Sequence, residues 1–251
     1  MPRPLRPYAL ALAIGSPFQV LVLALVAITA VATCAAVRLR PGAWVRPFTV
    51  VLAVLLVASE ASWWTYAVVR HLPLAVALPL QICDVAPLVA AVALLWRWPP
   101  AVEVAYFWGA AGCSLALLTP DLPDRFPSFL FAQYVVEHGL AVVAALLLPI
   151  GLGLNPRRGA VLRVTLATAA LAVVAGVADI LTGGNYMYLA RPPASPTLLA
   201  VLGAWPWYLA GGTVIAVLIL VLLDLPFRLT YRPRRREPSI AGARATPLGG
   251  D

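Results

Sequence analysis

Long apolar runs rich in Ala, Val and Leu recur along the chain, separated by short polar interruptions. Each run is close to the roughly 20 residues that a helix needs to cross a bilayer. The pattern predicts spans near 17–38, 47–70, 72–96, 101–119, 127–152, 160–183 and 205–225. Turn chemistry marks the breaks. Arg38, Arg40, Pro41 and Gly42 follow the first run, and Arg97, Trp98, Pro99 and Pro100 follow the third. Pro120 to Pro127 is a Pro/Asp turn region, and Asn155 to Gly159 separates the fifth run from the sixth. The longest connection, Gly183 to Ala204, contains Asn185, Tyr186, Met187 and Tyr188. The expected fold class is all-α: a polytopic bundle of about seven transmembrane helices over residues 1–228. Residues 229–251 are Arg- and Pro-rich, then Gly- and Ala-rich, and read as a disordered cytoplasmic tail.

Composition agrees with lipid as the solvent. Hydrophobic residues make up 62% of the chain and charged residues 11%, against about 25% charged in an ordinary soluble domain. The net charge of +8 does not point to nucleic acid. Every basic side chain other than the histidines is arginine, and these arginines sit between apolar runs and in the tail. That is how loop charges orient a membrane protein. Arg38, Arg40, Arg46, Arg97, Arg157, Arg158, Arg163 and the tail cluster fall on one side; only Arg3, Arg6, Arg70, Arg125 and Arg191 fall on the other. The richer side is expected to be cytoplasmic, so the N-terminus is out and the C-terminus in. The tail arginines are expected to contact anionic lipid headgroups. The run from Phe18 to Val37 is too long for a cleaved signal and reads as the first span. The expected location is a bacterial plasma membrane.

Against this background a few residues stand out. An ionisable group inside a span costs about 2.5–3.5 kcal/mol on insertion scales and generally marks a function. Glu60 lies in the second run; Gln81, Cys83 and Asp84 in the third; Gln133, Tyr134, Glu137 and His138 in the fifth; and Asp179 near the outer end of the sixth. Counted along continuous helices, Cys83 and His138 each lie roughly 16 Å from the outer boundary and Glu60 roughly 15 Å, close to one level. In the fifth run, Gln133 and Glu137 share one helix face, and Tyr134 and His138 the adjoining one. Pro73, Pro79 and Pro87 make the third run a kinked, cavity-lining segment. Each residue also has a structural reading. Cysteine packs as a small hydrophobe, and that is the assignment for Cys34 and Cys113. Histidine and carboxylates can serve as hydrogen bonds between helices.

The segment Leu78-Pro79-Leu80-Gln81-Ile82-Cys83-Asp84 resembles a motif of the YwaF-like bacterial membrane proteins. So does Asn185-Tyr186-Met187-Tyr188-Leu189, continuing through Pro192-Pro193 to Leu202-Gly203 and Trp205-Pro206-Trp207-Tyr208, and so does the His138-Gly139 pair. These proteins look like relatives of the eukaryotic transmembrane protein 164 family. That resemblance implies a phospholipid acyltransferase with a membrane-embedded cysteine and histidine as its catalytic pair. The pair falls here on Cys83 and His138. Many members have histidine where this chain has Gln81, which cannot supply the same proton chemistry.

The leading expectation is therefore a lipid acyltransferase with Cys83 as nucleophile and His138 as base, acting on membrane phospholipids. Gln81, Asp84, Glu60, Gln133, Tyr134, Asp179, Asn185 and Tyr186 are the supporting candidates. Glu60, Asp84 and Asp179 are the candidates to orient the imidazole. A rival expectation is a small proton-coupled transporter working through the intramembrane carboxylates, and a third is a non-enzymatic membrane protein. The sequence carries no metal-ligand or cofactor motif.

Overall fold

The computed structural model describes residues 12–122, 124–193 and 202–229. The expected tail beyond residue 229 lies outside the described residues. The described chain is all-helical. Six helices are long and apolar enough to cross a membrane. They are α1 (Pro17–Leu39), α2 (Val45–Val69), the composite Pro99–Leu118, α7 with its extension (Phe129–Gly151), α8 (Ala160–Thr182) and α9 (Trp207–Leu229). Ser16 caps α1, accepting the Gln19 N–H at 3.1 Å, and Ser128 caps α7, accepting the Phe131 N–H at 3.2 Å.

The run at 72–96 is not one helix. It forms a single turn, α3 (Leu74–Ala77), then extended backbone, then α4 (Ile82–Trp96). Leu78 is extended at φ −76°, ψ 144°, because it precedes Pro79 and the proline ring excludes the helical region for the residue before it. Pro87 lies inside α4 without breaking it. Counting residues along one continuous helix therefore does not apply between 72 and 81. Arg46, at the start of α2, donates to the Leu95 carbonyl at 2.8 Å, so the start of α2 and the end of α4 are level and the two helices antiparallel. With 15 residues against 25, α4 stops about 15 Å short of the far end of α2. That shortfall leaves an indentation in the bundle.

The composite Pro99–Leu118 consists of α5 (Pro99–Phe107), a π-helical segment (Trp108–Cys113) and α6 (Ser114–Leu118). Gly109 permits this arrangement. A Cβ there would lie 2.6 Å from the Ala145 Cβ and 2.9 Å from the Ala141 carbonyl, so the π segment sits directly on α7. A second π segment, Leu147–Gly151, follows α7.

α7 (Phe129–Leu146) is the centre of the bundle and packs against α1, α2, α4, α5 and the first π segment. The outward faces of α1, α8 and α9 carry Ile28, Val31, Ile180, Leu181 and Leu222, all exposed, as a lipid-facing surface requires. Several arginines on the Arg-rich side satisfy carbonyls at helix ends, where backbone acceptors lack intrahelical partners. Arg46 serves α4 and Arg38 donates to the Ile150 carbonyl, while Arg228 donates to the Arg157 carbonyl, in the connection before α8, at 2.7 Å. Buried Glu103 holds Arg157 and Arg163, each at 2.8 Å, and so ties α5 to the start of α8.

Candidate functional site

The break before α4 puts Cys83 in the first turn of a helix. Gln81 is the N-cap, and Asp84 reaches back to accept the Gln81 backbone N–H at 3.0 Å. The thiol of Cys83 interacts with two side chains, the Cys113 thiol at the end of the π segment and the His138 imidazole on α7. The early N–H groups of a helix have no intrahelical acceptor and favour negative charge nearby. A thiolate or an oxyanion at Cys83 would meet that field.

His138 is 6% exposed. Its Nδ1 lies 2.8 Å from the Tyr134 carbonyl one turn earlier, and its ring packs on the Tyr134 ring with centroids 4.2 Å apart. A carbonyl oxygen can only accept, so Nδ1 carries the proton and Nε2 is left as the basic nitrogen. Tyr134 is itself fixed, its hydroxyl donating to the Ala116 carbonyl at 2.7 Å. None of Glu60, Asp84 and Asp179, the expected orienting groups, bonds to the ring. The backbone does that work, because a side chain four residues along a helix can turn back onto the preceding turn.

The carboxyl groups gather on the adjoining side of α7. Gln133 donates to Glu137, and the Glu137 carboxyl faces that of Glu60 on α2, with Asp84 and Trp64 beside them. Glu60 is 1% exposed, and neither of its oxygens has a well-formed hydrogen bond. Among the described residues no arginine accompanies these acids, so a protonated carboxyl is the arrangement that avoids an uncompensated buried charge.

The loop after α8 fills the indentation above α4. Tyr186 is buried; its hydroxyl accepts the Leu78 N–H at 2.9 Å and donates to the Leu74 carbonyl, pairing two backbone groups that the break set free. Its own N–H donates to Asp179 Oδ1 at 2.7 Å. The Met187 N–H donates to Gln81 Oε1 at 2.7 Å. Asn185 closes the loop on itself, accepting the Ala190 and Arg191 N–H groups and donating to the Arg191 carbonyl. Met187 and Tyr188 both adopt left-handed backbone, at φ 52° and 55°, which is uncommon for residues with a side chain. The Tyr188 carbonyl accepts the Tyr208 hydroxyl at 2.6 Å, and the Tyr188 hydroxyl donates to Asp121 at 3.0 Å. Burial raises the Tyr188 phenol above its ordinary range, with the Asp121 charge adding to the effect. Beneath the loop lies a cavity of about 260 Å³ bounded by Trp63, Ala75, Gln81, Asp84, Tyr186 and Tyr188.

Of the sequence candidates, Cys83, His138 and Tyr134 meet in one cluster. Glu60, Gln133 and Glu137 form a second, with Asp84 between that cluster and the cavity. Gln81, Asp179, Asn185 and Tyr186 hold the loop and the helix break. Cys113, assigned to packing from sequence, is the neighbour that sequence reasoning missed. Two glycines within six residues, Gly109 and Gly112, were the available signal of close helix approach there.

Fold and site together define a multi-pass membrane protein with a thiol–imidazole pair beside the start of a broken helix. Residues 13–224 match the TMEM164 family, and the chain belongs to that family. No curated protein and no solved structure matches it.

Proposed function

We propose that the protein is a membrane-embedded acyltransferase that moves a fatty acyl chain between phospholipids in a bacterial plasma membrane, with Cys83 as nucleophile and His138 as base. The observation that carries this reading is the placing of the Cys83 thiol beside an imidazole whose Nδ1 is committed to the Tyr134 carbonyl. His138 Nε2 takes the thiol proton. The thiolate adds to the ester carbonyl of a donor phospholipid, and the lysophospholipid oxygen leaves with the proton from His138. Cys83 then holds the acyl chain as a thioester. The hydroxyl of an acceptor lysophospholipid loses its proton to His138, attacks the thioester, and Cys83 leaves as the thiol. The first-turn N–H groups of α4 face the oxyanion formed in each step. Gln81 acts here through its tie to Met187 rather than through proton transfer. With the orientation expected from the arginines, the cavity beside this cluster lies toward the outer leaflet.

Labelling with an acyl-phosphonate or fluorophosphonate-type lipid probe tests this reading. Wild type should be labelled, and Cys83→Ala and His138→Ala should not. Equal labelling of Cys83→Ala would remove the thiol mechanism.

The unpaired Glu60 carboxyl facing Glu137 favours a second reading, a proton-coupled carrier. Proton-driven flux in liposomes that needs Glu60 and survives Cys83→Ala would replace the first reading with this one.

A further inference from the structure

Cys34, Cys83 and Cys113 are all free thiols. Cys34 lies apart from the other two, packed near Gly151 on α1. Cys83 and Cys113 come from different elements, the first turn of α4 and the end of the π segment. These elements pack together, a Cβ at Gly112 lying 3.4 Å from the Ile82 side chain, and the two thiols are neighbours. Cys113 is completely buried, while Cys83 is partly accessible. His138 stands against Cys83 with a free basic nitrogen. This arrangement has one thiol reachable by a small oxidant, a base to deprotonate it, and a second thiol in reserve behind it. Acyl transfer uses only the first of the two.

We infer that Cys83 and Cys113 form a redox-active dithiol that a hydroperoxide closes to an intramolecular disulfide. His138 takes the Cys83 proton, and the thiolate attacks the terminal peroxide oxygen. The O–O bond breaks, Cys83 becomes a sulfenic acid, and the alcohol leaves with the proton from His138. The Cys113 sulfur then attacks the Cys83 sulfur, the S–O bond breaks, and water departs with the Cys113 proton. In sum, two thiols and one hydroperoxide give a disulfide, an alcohol and water, and the sulfurs lose the two electrons that the peroxide gains. Burial of Cys113 beside the sulfenic acid favours this closure over further oxidation by a second peroxide. Closure removes the Cys83 nucleophile until a thiol reductant reopens the bond.

The test uses the full chain in nanodiscs of saturated phospholipid, treated with hydrogen peroxide, quenched, denatured and alkylated with a maleimide. Alkylatable thiols should fall from three, the number free in the untreated chain, to the single thiol of Cys34. Dithiothreitol should restore them, and peptide mapping should find Cys83 joined to Cys113. In Cys113→Ser, a sulfenic-acid probe such as dimedone should mark Cys83, which stays unmarked in wild type. Persistence of all three thiols, or a link that maps to Cys34 or between two chains, overturns the inference. Thiol counting requires no acyl transfer, so its failure leaves the proposed activity standing, and loss of that activity leaves the dithiol standing.

Discussion

The hydroxyl of Tyr186 accepts the Leu78 N–H and donates to the Leu74 carbonyl, so a side chain from the loop after α8 stands in for the missing helical hydrogen bonds of the broken third segment. A backbone polar group buried without a partner is costly in protein or lipid. The loop is therefore part of the wall of the site, and its motif residues hold the break open rather than decorate the surface.

Tyr186→Phe keeps the ring and removes both of these bonds. The expected loss of stability is about 1–3 kcal/mol, read as a lower unfolding temperature in detergent. Because Tyr186 also bounds the cavity, acyl exchange should fall with it. Unchanged stability would show that water or another group satisfies Leu74 and Leu78.

Cys83→Ser and His138→Asn test the chemistry without large changes of volume. Each is expected to keep wild-type thermal unfolding and to lower acyl exchange in a defined lipid assay, with the His138 change costing on the order of 10²–10⁴-fold. A Cys83→Ser variant at full rate would exclude the thioester route.

Gly109→Ala tests the π segment. Its Cβ would meet Ala145 at 2.6 Å and the Ala141 carbonyl at 2.9 Å, and neither can retreat freely from the centre of the bundle. Overpacking of this kind costs about 1–3 kcal/mol. The segment should shift away from α7 and carry Cys113 with it, so peroxide-driven pairing with Cys83 should weaken together with stability.

Glu60→Met replaces an unpaired buried acid with an apolar side chain of similar size. Burying a polar group without a hydrogen bond costs about 1–3 kcal/mol, so its removal is expected to be neutral or stabilising within that range. Unfolding temperature should hold or rise. Loss of a measured activity alongside that gain would assign the acid to function; a fall in stability would assign it to structure.

Glu103→Gln removes the negative partner of Arg157 and Arg163. Both arginines are nearly half exposed, with side-chain accessibilities of 49% and 42%, so solvent screening limits the loss to about 1–2 kcal/mol. Thermal unfolding should report it, and acyl exchange at the far end of the bundle should be unaffected.

The class of fold, the places where the chain turns and the face-sharing of Tyr134 with His138 were legible in the amino-acid order alone. These follow from local rules: apolar length against bilayer thickness, proline and glycine at the breaks, and a 3.6-residue period. The family motifs likewise drew attention to Gln81–Asp84 and Asn185–Tyr188, both of which flank the cavity. Only the tertiary structure decided that the run at 72–96 divides into α3 and α4, since the division is held by Tyr186 from a loop more than a hundred residues away. Rotation of each helix about its own axis was equally beyond the sequence, because an almost uniformly apolar helix in lipid gives no amphipathic signal to set it. That rotation, together with the π segment, brought Cys113 rather than a carboxylate to Cys83, and left the Tyr134 backbone to hold the His138 ring.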